Sequence, residues 1–215
     1  MSFLNQLKSQ ASALQSEKEA GNSRFLSNLQ ITETTAKSVA LYVNELSKQL
    51  NVIAPPGPKL TLDGKTPWPA MKMSDFQSDA RKKTLHDREV YDYIGMGWTL
   101  LPVFGQAVGG SVSANFPPDL QRIEERLSAG SVKHERVSVR HPEKNTLQAV
   151  RFDYTTQARG SVTVSADHEA AKMNFRLANV QGFGVVNIGY PVERVNTALL
   201  DELAKLLVGQ PSKFV

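Results

Sequence analysis

The chain changes its hydrophobic periodicity at a proline-rich segment that begins at residue 54. Upstream, residues 2–53 repeat apolar side chains at the interval of an amphipathic helix. The segment APPGPKLTLDGKTPWPAM contains five prolines and two glycines, so we expect an extended linker or a meandering edge there. Downstream, apolar and polar residues alternate as in half-buried antiparallel strands. This order predicts an α+β protein with a helical region at residues 1–53, a proline-rich connection at 54–69 and an antiparallel sheet domain at 70–215.

The N-terminal region carries two apolar stripes, which predict a pair of helices. Gly21 and Asn22 offer a break, and Thr32 or Thr34 a second helix start. The second stripe consists of Ala36, Val39, Ala40, Val43, Leu46 and Leu50. The first stripe is thinner and consists of Leu4, Leu7, Ala11 and Leu14. A helix with so little apolar surface is marginal alone, so we expect this stripe to bind a partner surface.

The alternating pattern predicts one large, curved antiparallel sheet of about six to eight strands. It is clearest at residues 172–178, where Met173, Phe175 and Leu177 alternate with polar residues. The other strand candidates are residues 70–76, 89–100, 110–116, 132–140, 150–154, 162–167 and 182–190. Short polar turns between successive strands favour a meander.

Two helices are expected within and after the sheet. Pro117 and Pro118 precede the inserted helix, and Gly130 ends it. The C-terminal helix begins after the N-cap Asn196 and ends before Gly209. Its leucine-rich stripe must be covered, so we expect it to pack on the sheet.

Two uncharged segments are expected to form the interior. Residues 93–118 run for 26 positions without a charge in a chain that is 21% charged, and residues 177–192 also lack charges. In strands, the pairs Gly95/Gly97 and Gly182/Gly184 would leave one face without side chains. We expect the C-terminal helix to fill that face. The alternative is a groove for an apolar ligand, formed by Tyr91, Tyr93, Gly95, Gly97, Trp98, Gly182, Gly184 and Tyr190.

The sequence offers no complete catalytic, metal or cofactor motif. Zero cysteines exclude disulfides, thiol nucleophiles and cysteine-based metal sites. Three of the four histidines precede an acid directly, and neighbours on a strand point to opposite faces and cannot chelate together. The glycine-rich stretches complete neither a phosphate loop nor a nucleophile elbow. We therefore predict no metal and no cofactor and favour a non-catalytic protein. The alternative is a catalytic site assembled from separate turns.

The charge balance gives only a weak indication of nucleic-acid binding. The 25 basic and 21 acidic residues are spread along the same segments. A basic patch is expected around a hairpin turn, formed by Arg81, Lys82, Lys83, His86 and Arg88. Salt-paired strands explain such a patch better than a nucleic-acid surface.

Cellular location is indicated only by what the sequence lacks. The N-terminus lacks a signal-peptide pattern, and Pro102 and Gly105 interrupt the longest apolar segment. We therefore expect a cytoplasmic protein without a membrane-inserted helix.

These observations leave three functional hypotheses. The first is a non-catalytic binding or assembly protein that forms homo-oligomers or docks on a protein partner through its N-terminal helices. The second is a carrier of an apolar small molecule in the glycine-lined groove. The third is weak nucleic-acid binding through the basic hairpin.

Overall fold

The computed structural model describes residues 3–215 and contains three α-helices and eight strands in an α+β arrangement. Residues 1 and 2, which the sequence assigned to the helical region, lie outside the described residues. In chain order the elements are α1 (Phe3–Ile53), β1 (Met71–Leu85), β2 (Arg88–Pro102), β3 (Gly109–Ala114), α2 (Pro117–Ala129), β4 (His134–Arg140), β5 (Leu147–Thr155), β6 (Ala158–Asp167), β7 (Lys172–Ala178), β8 (Val185–Pro191), a 3₁₀ turn (Val192–Arg194) and α3 (Thr197–Leu207).

The N-terminal region is one continuous helix of 51 residues, so the predicted helical pair is wrong. Gly21 and Asn22 lie within it as ordinary helical residues. A mid-helix glycine costs only about 1 kcal/mol, which is too little to break a helix anchored further along. Thr32 does not start a helix either, because its side chain is buried in the middle of α1.

The strands form two antiparallel sheets instead of the single large sheet that we predicted. The first has the order β1-β2-β6-β7-β8, and the second has the order β3-β5-β4. The chain passes between them at Thr156, whose amide donates a hydrogen bond to the carbonyl of Val108. The strand candidates are otherwise confirmed, except that β1 runs on to Leu85 and β8 begins only at Val185.

One hydrophobic core joins the first sheet to both terminal helices. The inward side chains of β2 and β7, among them Met96 and Phe175, are buried together with Val43 of α1 and Leu203 of α3. The capping prediction for α3 is confirmed, because the Asn196 side chain accepts a hydrogen bond from the amide of Leu199.

The predicted inserted helix is confirmed as α2, which begins at Pro117, two residues earlier than expected, and ends, as predicted, at the C-cap Gly130. No side-chain hydrogen bond caps its N-terminus at Phe116. A proline at the first helical position needs no hydrogen-bond partner for its nitrogen, which suits this uncapped start.

The proline-rich connection follows the edge of the first sheet. Of the two predicted structures, an extended linker and a meandering edge, it therefore forms the second. Pro56 bridges to Lys72 of β1, and the backbone amide of Trp68 donates to the carbonyl of Leu60. Leu60, Leu62 and Trp68 are all buried. The segment therefore closes one side of the core.

Candidate functional site: a projecting helical arm and a polar groove

The first part of α1 projects from the rest of the molecule. Every side chain from residue 3 to residue 24 is exposed, and the first buried residue of α1 is Leu29. We call residues 3–24 the arm, and the sheets, α2, α3 and the remainder of α1 the body. At 1.5 Å per residue, the arm extends about 33 Å beyond the body.

The apolar stripe of the arm continues the buried stripe of the same helix. Eighteen residues complete about five turns of an α-helix and return to the same direction. Leu7 therefore points the same way as Phe25 and Val43, and Ala11 the same way as Leu29. The arm thus presents Leu4, Leu7, Ala11 and Leu14 on the side of α1 that packs on the body further along.

The arm begins where α1 meets two strand turns of the body. The ring of Phe25 packs edge-on against His86 in the β1–β2 turn, with centroids 4.9 Å apart. The Asn28 side chain donates a 2.8 Å hydrogen bond to the Glu169 carbonyl in the β6–β7 turn. These contacts fix the direction in which the arm leaves the body.

A buried polar contact follows one turn further along α1. Glu33 accepts a 2.9 Å hydrogen bond from the backbone amide of Tyr91, and its carboxylate lies 3.5 Å from His168 Nε2. His168 is almost fully buried. Glu33 therefore ties α1 to β2 by a hydrogen bond and lies close to the β6–β7 turn.

Gly95 and Gly97 lie, as predicted, on one face of β2, but this is the outer face of the first sheet. Their neighbours Ile94, Met96 and Trp98 point into the core. The α3 helix belongs to that inner core, so the prediction that it fills the glycine-lined face is wrong. The outer face is instead covered in part by the protein's own Tyr93.

The hydroxyl end of the Tyr93 side chain lies over Gly95. A Cβ atom at Gly95 would overlap the Tyr93 hydroxyl oxygen, so a larger residue there would force the Tyr93 side chain to move. The Arg81 guanidinium lies over the Tyr93 ring, 5.0 Å from its centroid. Burial, reinforced by the charge and hydrogen bond of Asp79, raises the pKa of Tyr93. The phenol is therefore a neutral wall of the neighbouring groove.

Gly97, in contrast, forms an open part of the outer face. The nearest atom to a Cβ built there is the Gly160 carbonyl oxygen at 3.8 Å. Around it lies a groove of about 870 Å³, bounded by β1, β6, β7 and the connection between α2 and β4. Its lining is mainly polar and includes Asp75, Gln77, Asp79, Tyr93, Thr99, Ser128, Ser131, Arg159, Ser161 and Arg176.

The groove has a cationic side and an anionic side. Arg159 and Arg176 extend from β6 and β7, and neither forms an ion pair with an acid among residues 3–215. Asp75 and Asp79 line the opposite side on β1. Asp75 lies in a β-bulge with φ of +55°, a conformation that redirects its side chain from the regular strand pattern.

Of the other predicted groove residues, the structure brings only Trp98 to this site. Gly182 and Gly184 have φ of +141° and +151° and lie in bends before β8, so their assignment to a strand is wrong. Tyr190 is buried against Phe175 and Phe214. Trp98 borders the groove, although its ring packs inside the core, over Gly160 and against Phe76. Tyr91 contacts α1 instead of the groove.

The basic hairpin exists, but two of its five residues are paired with acids. Lys82 lies 3.1 Å from Glu89, and Lys83 lies 2.8 Å from Asp92. The hydrogen bond to Glu89 raises the pKa of Lys82, and the hydrogen bond from Lys83 lowers the pKa of Asp92. Arg81 stacks on Tyr93, His86 contacts Phe25, and Arg88 is exposed next to the turn. The five residues therefore do not form a continuous cationic surface.

Part of the uncharged stretch lies outside the core, contrary to our prediction. Residues 103–108 form an exposed loop between β2 and β3, and the Phe104 side chain at its tip is 93% exposed. Hydropathy alone could not separate this loop from β2. Pro102 and Gly105 were the only local signals that the strand ends there.

Sequence reasoning also missed the charged residues of the groove. Asp75, Arg159 and Arg176 belong to separate strands, and no spacing in the sequence connects them. The alternation of β7 correctly places Arg176 on the outer face, but only the folded connection at Ser128 and Ser131 makes that face concave.

In comparisons with known proteins, no family model, no curated protein and no solved structure matches the chain. Within residues 3–215, no helix has the length and apolar character needed to span a membrane. The same residues contain no cluster of three or more His, Asp or Glu side chains arranged to hold a metal ion.

Proposed function

We propose that this chain is a non-catalytic assembly protein that self-associates through the arm. The observation that supports this proposal is the exposed apolar stripe on a helix that is otherwise anchored firmly to the body. Because every residue of the arm is exposed, this helix of about 33 Å gains little stability from packing within the monomer. A second arm laid along the same stripe would bury its leucines.

The expected association is reversible. Leu4, Leu7 and Leu14 are all at least 45% exposed, and burial of each contributes about 1.5–3 kcal/mol. An association cost of about 4–15 kcal/mol opposes these contributions. We therefore expect a dimer that dissociates on dilution, in contrast to a permanent complex.

Light scattering after size-exclusion chromatography tests this function. The wild-type mass should rise toward that of a dimer with increasing concentration. The variant Leu7→Glu/Leu14→Glu should remain monomeric, because it places charges on the stripe. The matched control Ser9→Glu/Ser16→Glu adds the same charge to the opposite face of the arm and should still dimerise.

A wild-type protein that is monomeric at every concentration would contradict self-association. Docking of the arm on a different protein would then be the alternative use of the stripe. It predicts that the Leu7→Glu/Leu14→Glu variant loses a partner that the Ser9→Glu/Ser16→Glu control retains.

We further propose that the groove around Gly97 binds a small molecule carrying charges of both signs. The polar lining argues against an apolar ligand, which was the alternative hypothesis from the sequence. Arg159 and Arg176 supply donors for a carboxylate, and Asp75 on the opposite side can accept from an amine. An amino acid or a short peptide has this combination of charges.

Thermal shifts with free amino acids and dipeptides as probes test the groove. We expect stabilisation of the wild type by at least one probe and its loss in Arg176→Gln. Lys172→Gln is the matched control, because Lys172 lies on the same strand outside the groove. Equal shifts in the two variants would contradict binding in this groove.

A further inference from the structure

We propose that two copies of the chain pair their arms antiparallel and in full overlap, with Leu4 of each chain against the partner's Gly21. This inference rests on the proposed self-association and specifies its geometry. It follows from where the body lies relative to the stripe and from the residues that the overlap brings together.

The body excludes a parallel, in-register pair. The arm's stripe points to the side of α1 on which the sheet packs from Leu29 onward. A parallel partner helix would lie about 8–10 Å away on that side. Because α1 is continuous, the partner helix would run onward into the space that the sheet occupies beside Val43 and Leu50.

An antiparallel pair avoids this collision. The partner's arm then runs toward the body, and the first turn of its helix, at Phe3, lies at the base of the arm. In full overlap, the partner's Phe3 lies level with Asn22, just before Phe25 meets the body. The two bodies lie at opposite ends of a helical pair about 30 Å long.

The same overlap pairs large side chains with small ones. Leu4 faces the partner's Gly21, and Leu14 faces the partner's Ala11. Nothing lies within 4 Å of a Cβ built at Gly21, so the position is open to receive a leucine. Leu7 faces the partner's Lys18, whose aliphatic stem can cover the leucine while its ammonium group stays in water.

A notch at the base of the arm matches the end of the partner helix. It measures about 280 Å³ and is lined by Gly21, Arg24, Phe25, Asn28, Glu169 and Ala170. In the fully overlapped pair, the first turn of the partner helix reaches this notch. The exposed Phe3 of that turn can then pack beside Phe25.

An overlap shorter by one heptad fits less well. It would place Leu4 against the partner's Leu14 and leave Lys18 and Gly21 without a facing residue. It would also bring the Lys8 side chains of both chains together on one side of the pair. Full overlap places Lys8 beside the partner's Gln15 instead, which removes this like-charge contact.

Disulfide cross-linking tests the geometry, because the natural chain has no cysteine. A mixture of Leu4→Cys chains and Gly21→Cys chains should form a mixed disulfide dimer under mild oxidation, and each variant alone should form little. Efficient cross-linking of Leu4→Cys with itself would show a parallel pair and overturn the proposal. Preferential cross-linking of Leu4→Cys with Leu14→Cys would show the shorter overlap and also overturn it.

Measurements on the unmodified protein separate this inference from the proposed function. A wild-type monomer in light scattering overturns both. A wild-type dimer whose small-angle scattering shows two adjacent bodies overturns only the antiparallel geometry. The antiparallel pair predicts two bodies held apart by the overlapped arms, with two maxima in the pair-distance distribution.

Discussion

Leu7 and Val43 point in the same direction from α1, ten helical turns apart, yet Leu7 is 45% exposed and Val43 only 1%. The same helical stripe is therefore used twice. Near the C-terminal end of α1 it forms part of the hydrophobic core. In the arm it remains available, and this difference supports assembly through the N-terminal region.

Substitution by alanine should separate these two uses of the stripe. Val43→Ala should lower the free energy of unfolding by about 2 kcal/mol, because it leaves a cavity in a packed core. Leu7→Ala should change the stability of the monomer by less than about 0.5 kcal/mol. Urea denaturation of both variants, at a protein concentration too low for dimer formation, measures these changes. A comparable loss in Leu7→Ala would show that the arm packs on its own body.

Gly21→Pro should disrupt the arm without unfolding the body. Proline removes a helical hydrogen bond and clashes with the preceding turn, so the helix should break near residue 21. The ellipticity at 222 nm should fall, while the urea midpoint of the body stays within about 0.5 kcal/mol of the wild type. Gly21→Ala is the control, and it should raise the helical content. A large loss of body stability in Gly21→Pro would contradict the independence of the arm.

Gly160→Ala and Gly97→Ala should differ in stability although both glycines lie at the centre of the first sheet. A Cβ at Gly160 would lie 2.3 Å from the ring of Trp98, which Phe76 holds in place by stacking. We expect a loss of about 1–3 kcal/mol from this overpacking. Gly97 has open space above it, so Gly97→Ala should be nearly neutral. Chemical denaturation of the two variants compares them directly, and equal losses would contradict the open groove.

Local signals predicted the elements of this fold better than their arrangement. The N-cap Asn196 and the leucine stripe after it specify α3 within a few residues. Gly95/Gly97 and Gly182/Gly184 share a sequence pattern, but only the second pair has positive φ, and nothing in the pattern distinguishes them. The continuity of α1 across Gly21 reflects the small cost of one helical glycine. The contacts of Phe25 and Asn28 that fix the direction of α1 involve partners far away in sequence.

The two candidate sites, the arm and the groove, also differ in how far the sequence could predict them. The arm stripe is contained in one helix, so Leu4, Leu7, Ala11 and Leu14 could be identified from their spacing. The groove requires a bulge at Asp75, two strands and the folded connection after α2. Such a site is produced by tertiary structure and leaves no pattern in the sequence.

Asp63 should make the stability of the proline-rich connection depend on pH. Its carboxylate accepts hydrogen bonds from the backbone amides of Lys65 and Thr66 and from the hydroxyl groups of Thr61 and Thr66. Burial alone would raise the pKa of Asp63, but these hydrogen bonds outweigh it and lower the pKa to about 2. The turn directly follows Leu62, which is buried in the core. Arg126 stabilises the same segment by donating hydrogen bonds to the carbonyls of Thr61 and Leu62.

Because the folded-state pKa lies below the unfolded value, the contribution of Asp63 is complete above pH of about 4 and is lost as the pH falls toward 2. Asp63→Ala should therefore reduce the free energy of unfolding by about 1–2 kcal/mol at neutral pH. The difference from the wild type should shrink between pH 4 and 2. The control Glu143→Ala removes an exposed carboxylate in the β4–β5 turn and should show no such convergence. Urea denaturation at a series of pH values measures the difference in the free energy of unfolding between Asp63→Ala and the wild type. A difference that stays constant down to pH 2 would contradict the role of the ionised carboxylate.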